Sequence, residues 1–255
     1  MFVDSHCHLD FPELRTRLPQ IESAMVQNQV THALCIAVQP DTLKDVLEVS
    51  QWHPHWYATV GVHPDYELSR EPTQEDLYAW AQHPKVVAIG ETGLDYYRLV
   101  ERPEWQRERF RTHIRAARAT GKPLIIHTRS AAEDTLRIMQ EEGAAAVGGV
   151  MHCFTESQAV AEAALAMGFL ISFSGIVTFK NAQALKTLAC TIPLERMLIE
   201  TDSPYLAPTP HRGKTNEPSF VRHVAQEIAV LRGMTDEQVG MRTSQNFFEL
   251  FRVAA

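Results

Sequence analysis

Apolar residues in this chain come in short runs at consecutive positions, each followed by a stretch with helical spacing. The runs predict strands at Phe2–Asp4, His32–Val38, Trp56–Val62, Val86–Gly90, Pro123–His127, Gly149–His152, Phe169–Phe173 and Met197–Glu200. Consecutive rather than alternating apolar positions suit parallel strands covered on both faces. Helix signals fall between them. Asp41 is placed to cap Thr42–Trp52, and Thr73 with Asp76 to open a helix over Gln74–His83. Pro103 opens an amphipathic stretch that runs to Thr120 and stops at Gly121. Ser130 with Glu133, and Thr155 with Gln158, have capping-box spacing, with helix ends near Gly143 and Gly168. Pro218 stands at the first turn of a helix to Leu231, and Thr235–Gln238 starts a last one to about Phe251.

Eight strands alternating with helices predict a single-domain α/β (β/α)8 barrel, with a doubly wound open sheet as the alternative. No linker, charge block or low-complexity tract divides residues 1–255. No glycine-rich phosphate loop follows a strand, which weighs against the open nucleotide-binding sheets.

Composition narrows the setting. The 255 residues carry 24 Lys+Arg against 31 Asp+Glu, a formal charge of −7, which argues against a long basic groove for duplex DNA. A nucleic-acid end held by a few local cations stays open. Cys7, Cys35, Cys153 and Cys190 form no C-x-x-C pair and no disulfide framework, so a reducing cytoplasm is expected. The first ten residues show no signal-peptide pattern and no apolar run is long enough to span a bilayer, so no membrane association is expected.

The chemistry collects at strand ends. Strand 1 leads into His6 and His8, strand 3 into His63, strand 4 into Glu91, strand 5 into His127, strand 6 into His152, and strand 8 into Glu200 and Asp202. In a barrel these C-terminal ends meet at one mouth, where active sites are built. His6 and His8, two apart on extended backbone, face the same side and can reach one metal. Glu91 can bridge two cations, one oxygen to each. His127 and His152, each readable alone as a core histidine, gain a joint ligand reading from their equivalent positions. Asp202 can ligate a metal and accept a proton from water, with a turn before Pro204 as its structural alternative. Glu200 is expected behind a ligand histidine, and His63 in an outer or substrate-contacting position. Arg129, and Arg212 with Lys214 in the loop after strand 8, are the candidate phosphate holders, a solvated loop being the alternative for the last two.

These segments together resemble the TatD family of metal-dependent deoxyribonucleases, within the amidohydrolase-like barrels. The resemblance rests on D-S-H-C-H-L-D at Asp4–Asp10, G-V-H-P at Gly61–Pro64, G-E-T-G-L-D-Y-Y at Gly90–Tyr97 and K-P-L-I-I-H-T-R at Lys122–Arg129. It continues through H-C-F-T at His152–Thr155, E-T-D-S-P-Y-L at Glu200–Leu206 and R-G-K-T-N-E-P at Arg212–Pro218. It implies a TIM-like barrel with two divalent cations per chain: His6, His8 and Asp202 as ligands of one, His127 and His152 of the other, and Glu91 between them. The implied reaction is phosphodiester hydrolysis at a DNA 3′ end, of a single strand, with Glu91 and Asp202 as catalytic residues and His63, Arg129, Arg212 and Lys214 at the substrate. No obligate protein partner is implied. Imidazole-rich ligands suit Zn²⁺, Mn²⁺, Co²⁺ or Fe²⁺ better than Mg²⁺, whereas the family implies activity with Mg²⁺. Two other functions share these residues: hydrolysis of a carboxylic ester such as an aminoacyl ester on tRNA, or of a lactone, an amide or a small phosphoester, and a non-catalytic metal-binding scaffold. A shared bridging carboxylate argues against the scaffold, since structural sites are closed four-ligand cages.

Overall fold

In the computed structural model, which describes residues 1–97 and 103–254, eight parallel strands form one sheet in sequence order. They are β1 Phe2–Cys7, β2 Val30–Cys35, β3 Trp56–Val60, β4 Val86–Asp95, β5 Leu124–Arg129, β6 Gly149–Met151, β7 Phe169–Phe173 and β8 Met197–Ile199. The sheet closes just past β8, where Cys7 bridges Ser203 in parallel and the His8 amide donates to the Ser203 carbonyl at 2.8 Å. The helices are α1 Pro12–Arg15, α2 Leu18–Gln27, α3 Leu43–Trp52, α4 Gln74–Trp80, α5 Glu104–Thr120, α6 Ala132–Glu141, α7 Gln158–Ala166, α8 Gln183–Thr191, α9 Val221–Arg232 and α10 Asp236–Phe251. The architecture is therefore the single-domain TIM-like barrel, and the doubly wound sheet is excluded by the closure.

Two apolar clusters explain why so many strand positions are hydrophobic. The larger joins one face of the strands to the helices. The smaller takes Val3, Leu34, Ala88, Ile125, Val150, Leu170 and Leu198 from seven strands and adds Phe247 and Phe251 of α10. This is the filling of the barrel, closed at the N-terminal end of the strands by the last helix. Both faces of each strand are thus buried, as consecutive apolar runs require.

Several local expectations are corrected. Asp41 does not cap: Pro40–Thr42 form a 3₁₀ turn, and α3 begins after Thr42 without a side-chain cap. Neither Ser130 nor Thr155 starts a helix. α6 follows Ala131 uncapped, and α7 is capped by Ser157, whose Oγ accepts from the Val160 amide. Pro218 opens a 3₁₀ turn ahead of α9. The boxes at Thr73/Asp76 and Thr235/Gln238 form in both directions, and Gly121 ends α5 with φ 67°. Helices α1, α2 and α8 have no counterpart among the predicted elements, although Leu18, Ile21 and Met25 bury one stripe of α2.

Strand 4 runs five residues past its predicted end at Gly90, and this extension matters most for the site. It carries Glu91, Thr92, Gly93, Leu94 and Asp95 alongside β5. Gly93 has φ +141° and lies so close to β5 that an added Cβ would stand 1.9 Å from the His127 carbonyl oxygen. Glycine, which marks a strand end in a sequence reading, here lets two strands approach. Among the described residues, no helix is long and apolar enough to cross a membrane.

Candidate metal centre

The C-terminal ends of the strands surround a cavity of about 820 Å³, lined among others by His8, His63, Glu91, His127, His152 and Asp202. Glu91 stands at its centre, buried, with its two oxygens facing different partners. Oε2 lies 3.3 Å from His6 Nε2. Oε1 lies 2.8 Å from His152 Nε2, 3.1 Å from His127 Nδ1 and 3.4 Å from His63 Nε2. On the first side, Asp202 Oδ1 is 3.6 Å from His6 Nε2 and 3.4 Å from His8 Nε2. All six expected ligand residues therefore converge, on two sides of one carboxylate. The imidazoles of His6 and His152 stack at 4.0 Å between the two sides.

Backbone placement follows from barrel closure. The Asp202 amide donates to the His6 carbonyl at 2.9 Å, and the Glu200 amide to the Phe173 carbonyl at 3.0 Å. Asp202 has left-handed backbone, φ 56°, so it turns away from the course of Glu200. The two carboxylates consequently serve different histidines. Glu200 Oε1 accepts from the Cys153 amide at 2.7 Å and lies 3.4 Å from His152 Nδ1, behind the ring.

The electrostatics express this crowding. Burial would raise the Glu91 carboxyl, but His152, His63 and His6 outweigh it and hold the group well below the usual carboxylate range. Burial lowers His152, yet Glu91 and Glu200 on either side raise it well above an ordinary histidine. Burial likewise opposes His8, and Asp202 overcomes it to raise the ring. His6 goes the other way: burial and the neighbouring His152 lower it, so it stays neutral.

The donor set fits divalent cations. His6 is fully buried, and neither of its ring nitrogens has a hydrogen-bond partner, an arrangement that costs a folded protein free energy unless something fills the gap. Ligand atoms at 2.0–2.1 Å from a tetrahedral ion are about 3.4 Å apart. The separations of 2.8–3.6 Å around Glu91 and Asp202 scatter about that value. Three groups, His6/His152/Asp202, His6/His8/Glu91 and His63/Glu91/His127, each bring ligand atoms within 4.8 Å of one another.

The remaining predicted residues divide. His63 stands further in than an outer position: its Nε2 is 3.3 Å from His127 Nδ1 and faces Glu91 directly. Arg129 lines the cavity at its rim, with its guanidinium 3.8 Å above the Tyr97 ring. Arg212 and Lys214 do not line it. The Arg212 guanidinium lies 3.7 Å over the Phe179 ring and donates to the Ala207 carbonyl, and Lys214 is exposed. That loop is anchored instead by Asn216, whose Nδ2 donates to the Thr201 and Tyr205 carbonyls at 2.9 and 2.6 Å.

Two contributors went unassigned in the sequence. Asp95 Oδ2 accepts from His127 Nε2 at 3.1 Å. Its signal was present, because Asp95 is four residues from Glu91 on one strand and so shares its face. The buried polar side chains of α5 also serve the site. Gln106 donates to the Pro64 carbonyl, Arg109 to the His63 and Tyr66 carbonyls, and His113 Nε2 accepts from the Val62 amide. They hold the loop that carries His63. A second cavity, of about 370 Å³, lies at the opposite end of the strands beside His32, His53 and His55. Among the described residues those histidines form no ligand group.

Comparison with known proteins identifies the family. Residues 3–252 match the family described as TatD-related DNase. The chain is 44% identical over 257 residues to the metal-dependent hydrolase YcfH of Escherichia coli K12, covering 99% of this chain and 96% of the relative. It is 34% identical over 216 residues to the 3′-5′ ssDNA/RNA exonuclease TatD of Salmonella typhimurium, covering 82% and 83%. Among solved structures it is similar to the TatD homologue YJJV of Escherichia coli K12, with a TM-score of 0.92, 26% identity, and 99% and 98% of the two chains covered.

Proposed function

This chain belongs to the TatD family of metal-dependent hydrolases, and from that premise we propose that it hydrolyses phosphodiesters at the 3′ end of single-stranded DNA with two divalent cations. The observation that carries the reading is Glu91, whose two oxygens face two separate sets of histidines and Asp202. The exonuclease name of the Salmonella relative supports the substrate class. Cations bound there would neutralise charge developing on phosphorus and lower the pKa of water at neutral pH.

The protein residues supply the rest. His6, His8 and Asp202 hold one side, His127 and His152 the other, and Glu91 joins them. Asp202 takes the proton of the attacking water. Arg129 at the rim holds the phosphate by paired N–H donors, and His63 faces the same space. Arg212 and Lys214 sit outside the cavity, so their part is confined to a longer strand passing over the rim.

The test is digestion of an end-labelled single-stranded oligonucleotide by chelator-stripped protein, with Mg²⁺, Mn²⁺ or Zn²⁺ returned separately and Glu91→Ala beside it. Metal-dependent shortening from the 3′ end, absent in the variant, is the expected result. Folded, metal-loaded protein that shortens nothing would move the assignment to a carboxylic ester.

A further inference from the structure

The two histidines on the Oε1 side of Glu91 use opposite ring nitrogens. His152 turns Nε2 toward Glu91 and Nδ1 toward Glu200. His127 turns Nδ1 toward Glu91 and Nε2 toward Asp95. An imidazole has one donor and one acceptor nitrogen when neutral, and a carboxylate can only accept. For His127, whose Nε2 is hydrogen-bonded to Asp95, the carboxylate outside the site therefore decides which nitrogen keeps the proton and which offers its lone pair inward.

We infer that Asp95 is the positioning residue that fixes His127 with its proton on Nε2 and its Nδ1 lone pair directed at the space beside Glu91. The inference rests on the metal-centre reading above. Asp95 is built for this. Its carboxylate is buried at the end of β4, with Oδ2 3.1 Å from His127 Nε2 and Oδ1 accepting from the Tyr97 amide at 2.9 Å. Both oxygens are thus directed, and the group cannot swing away without giving up a hydrogen bond at each.

Its backbone is clamped as well. The Asp95 amide donates to Gln106 Oε1 at 3.0 Å, and Gln106 Nε2 donates back to the Asp95 carbonyl and to the Pro64 carbonyl. Gln106 is fully buried in α5. The same side chain therefore sets the height of Asp95 behind His127 and the course of the loop after His63. In the strand pairing Gly93 lies opposite His127 and Asp95 opposite Arg129, so Asp95 reaches back to His127 from two residues further along β4.

The experiment reads His127 itself and metal affinity, on the full-length chain. Long-range ¹H–¹⁵N correlation spectra, at alkaline pH where the rings are neutral, assign the ring tautomers of wild type, Asp95→Ala, Asp95→Asn and Glu200→Gln. Titration calorimetry with Mn²⁺ follows on the same proteins. Wild-type His127 is expected as the Nε2–H form. Asp95→Ala should mix or invert that tautomer, and both Asp95 variants should bind Mn²⁺ roughly 10–100-fold more weakly, the loss typical of outer carboxylates. Glu200→Gln should disturb His152 and leave the His127 tautomer in place.

A wild-type His127 carrying its proton on Nδ1 would overturn the inference. So would folded Asp95 variants with an unchanged tautomer and unchanged Mn²⁺ affinity. If Asp95→Ala fails to fold, Asp95→Asn decides, because its carboxamide oxygen still satisfies one of the two N–H donors. If wild type binds no Mn²⁺, the metal-centre reading fails, and the His127 tautomer alone judges Asp95.

Discussion

His6 and Asp202 are joined twice: the Asp202 amide donates to the His6 carbonyl at 2.9 Å, and the Asp202 carboxylate lies 3.6 Å from His6 Nε2. The first link is part of the seam where β1 meets the segment after β8. The second is an approach between a neutral imidazole and a carboxylate. A cation seated between them would therefore tie the barrel's closing seam. Mn²⁺ or Zn²⁺ should raise the melting temperature of chelator-stripped protein, by the amount expected of a ligand that binds only the folded state, about 2.7 kcal/mol at a hundredfold excess over Kd. Amide hydrogen exchange should slow at His8 and Asp202 in particular. A melting temperature indifferent to both metals would remove the cations from the seam.

Gly93 predicts a sharp substitution effect. Any side chain there meets the His127 carbonyl of β5, and its φ of +141° disfavours every other residue. Gly93→Ala should cost roughly 3 kcal/mol or more, combining overpacking with backbone strain. Urea unfolding measures the loss. A variant within about 0.5 kcal/mol of wild type, the range of a neutral surface change, would mean that β4 and β5 do not approach as described.

His113 gives the protein a stability term that depends on pH. It is fully buried, its Nε2 accepts from the Val62 amide, and its Nδ1 faces the Arg109 carbonyl. Burial pushes it down to about 4, the Arg109 carbonyl opposes that, and the Arg109 charge adds to it. An unfolded histidine titrates near 6.5, so between pH 6.5 and about 4 the unfolded chain binds the extra proton. Stability from this residue is complete above that window and is lost as pH falls through it, by up to about 3 kcal/mol. His113→Leu should be less stable at neutral pH, because the Val62 amide loses its acceptor, yet should lose less between pH 7 and 5. Parallel urea midpoints for the two proteins at both pH values decide the matter; equal losses would sink the assignment.

The strand ends were legible because burial on both faces writes itself as consecutive apolar residues, and polar residues interrupting such runs stand out. His127 after Leu124-Ile-Ile and His152 after Val150-Met were visible in that way. The end of β4 was not, because Gly90 and Gly93 mark turns far more often than close strand contacts. Capping boxes at Ser130 and Thr155 failed for a related reason. The spacing is local, whereas the chain enters these helices from a strand end committed to the site: Thr155 lines the cavity, and Ser130 follows Arg129 with left-handed backbone. Spacing places Asp95 on the face of Glu91, but its contact with His127 is not legible, since pairing across strands is set by register and not by spacing.

The loop Arg212–Pro218 separates two explanations of one motif. Read as a phosphate grip, it works through Arg212 and Lys214. In the structure it works through Asn216, fully buried, whose two donated hydrogen bonds hold the Thr201 and Tyr205 carbonyls on either side of Asp202. Glu217 adds to the anchor, accepting from Ser219 and pairing with Arg17 at 2.7 Å. Asn216→Ala would leave two carbonyls without their donor, which costs about 1–3 kcal/mol per buried group, and would loosen the turn that aims Asp202 at His6 and His8. Stability and kcat should both fall, and Mn²⁺ affinity with them. Arg212→Ala loses a stacking contact on Phe179 worth about 0.5–1 kcal/mol at an exposed site, and should leave metal affinity untouched. Arg129→Ala should raise KM for the oligonucleotide while the protein melts as wild type does. Steady-state kinetics and calorimetry on the three variants distinguish the explanations. A large KM effect confined to Arg212→Ala, with Asn216→Ala near wild type, would return the loop to the substrate.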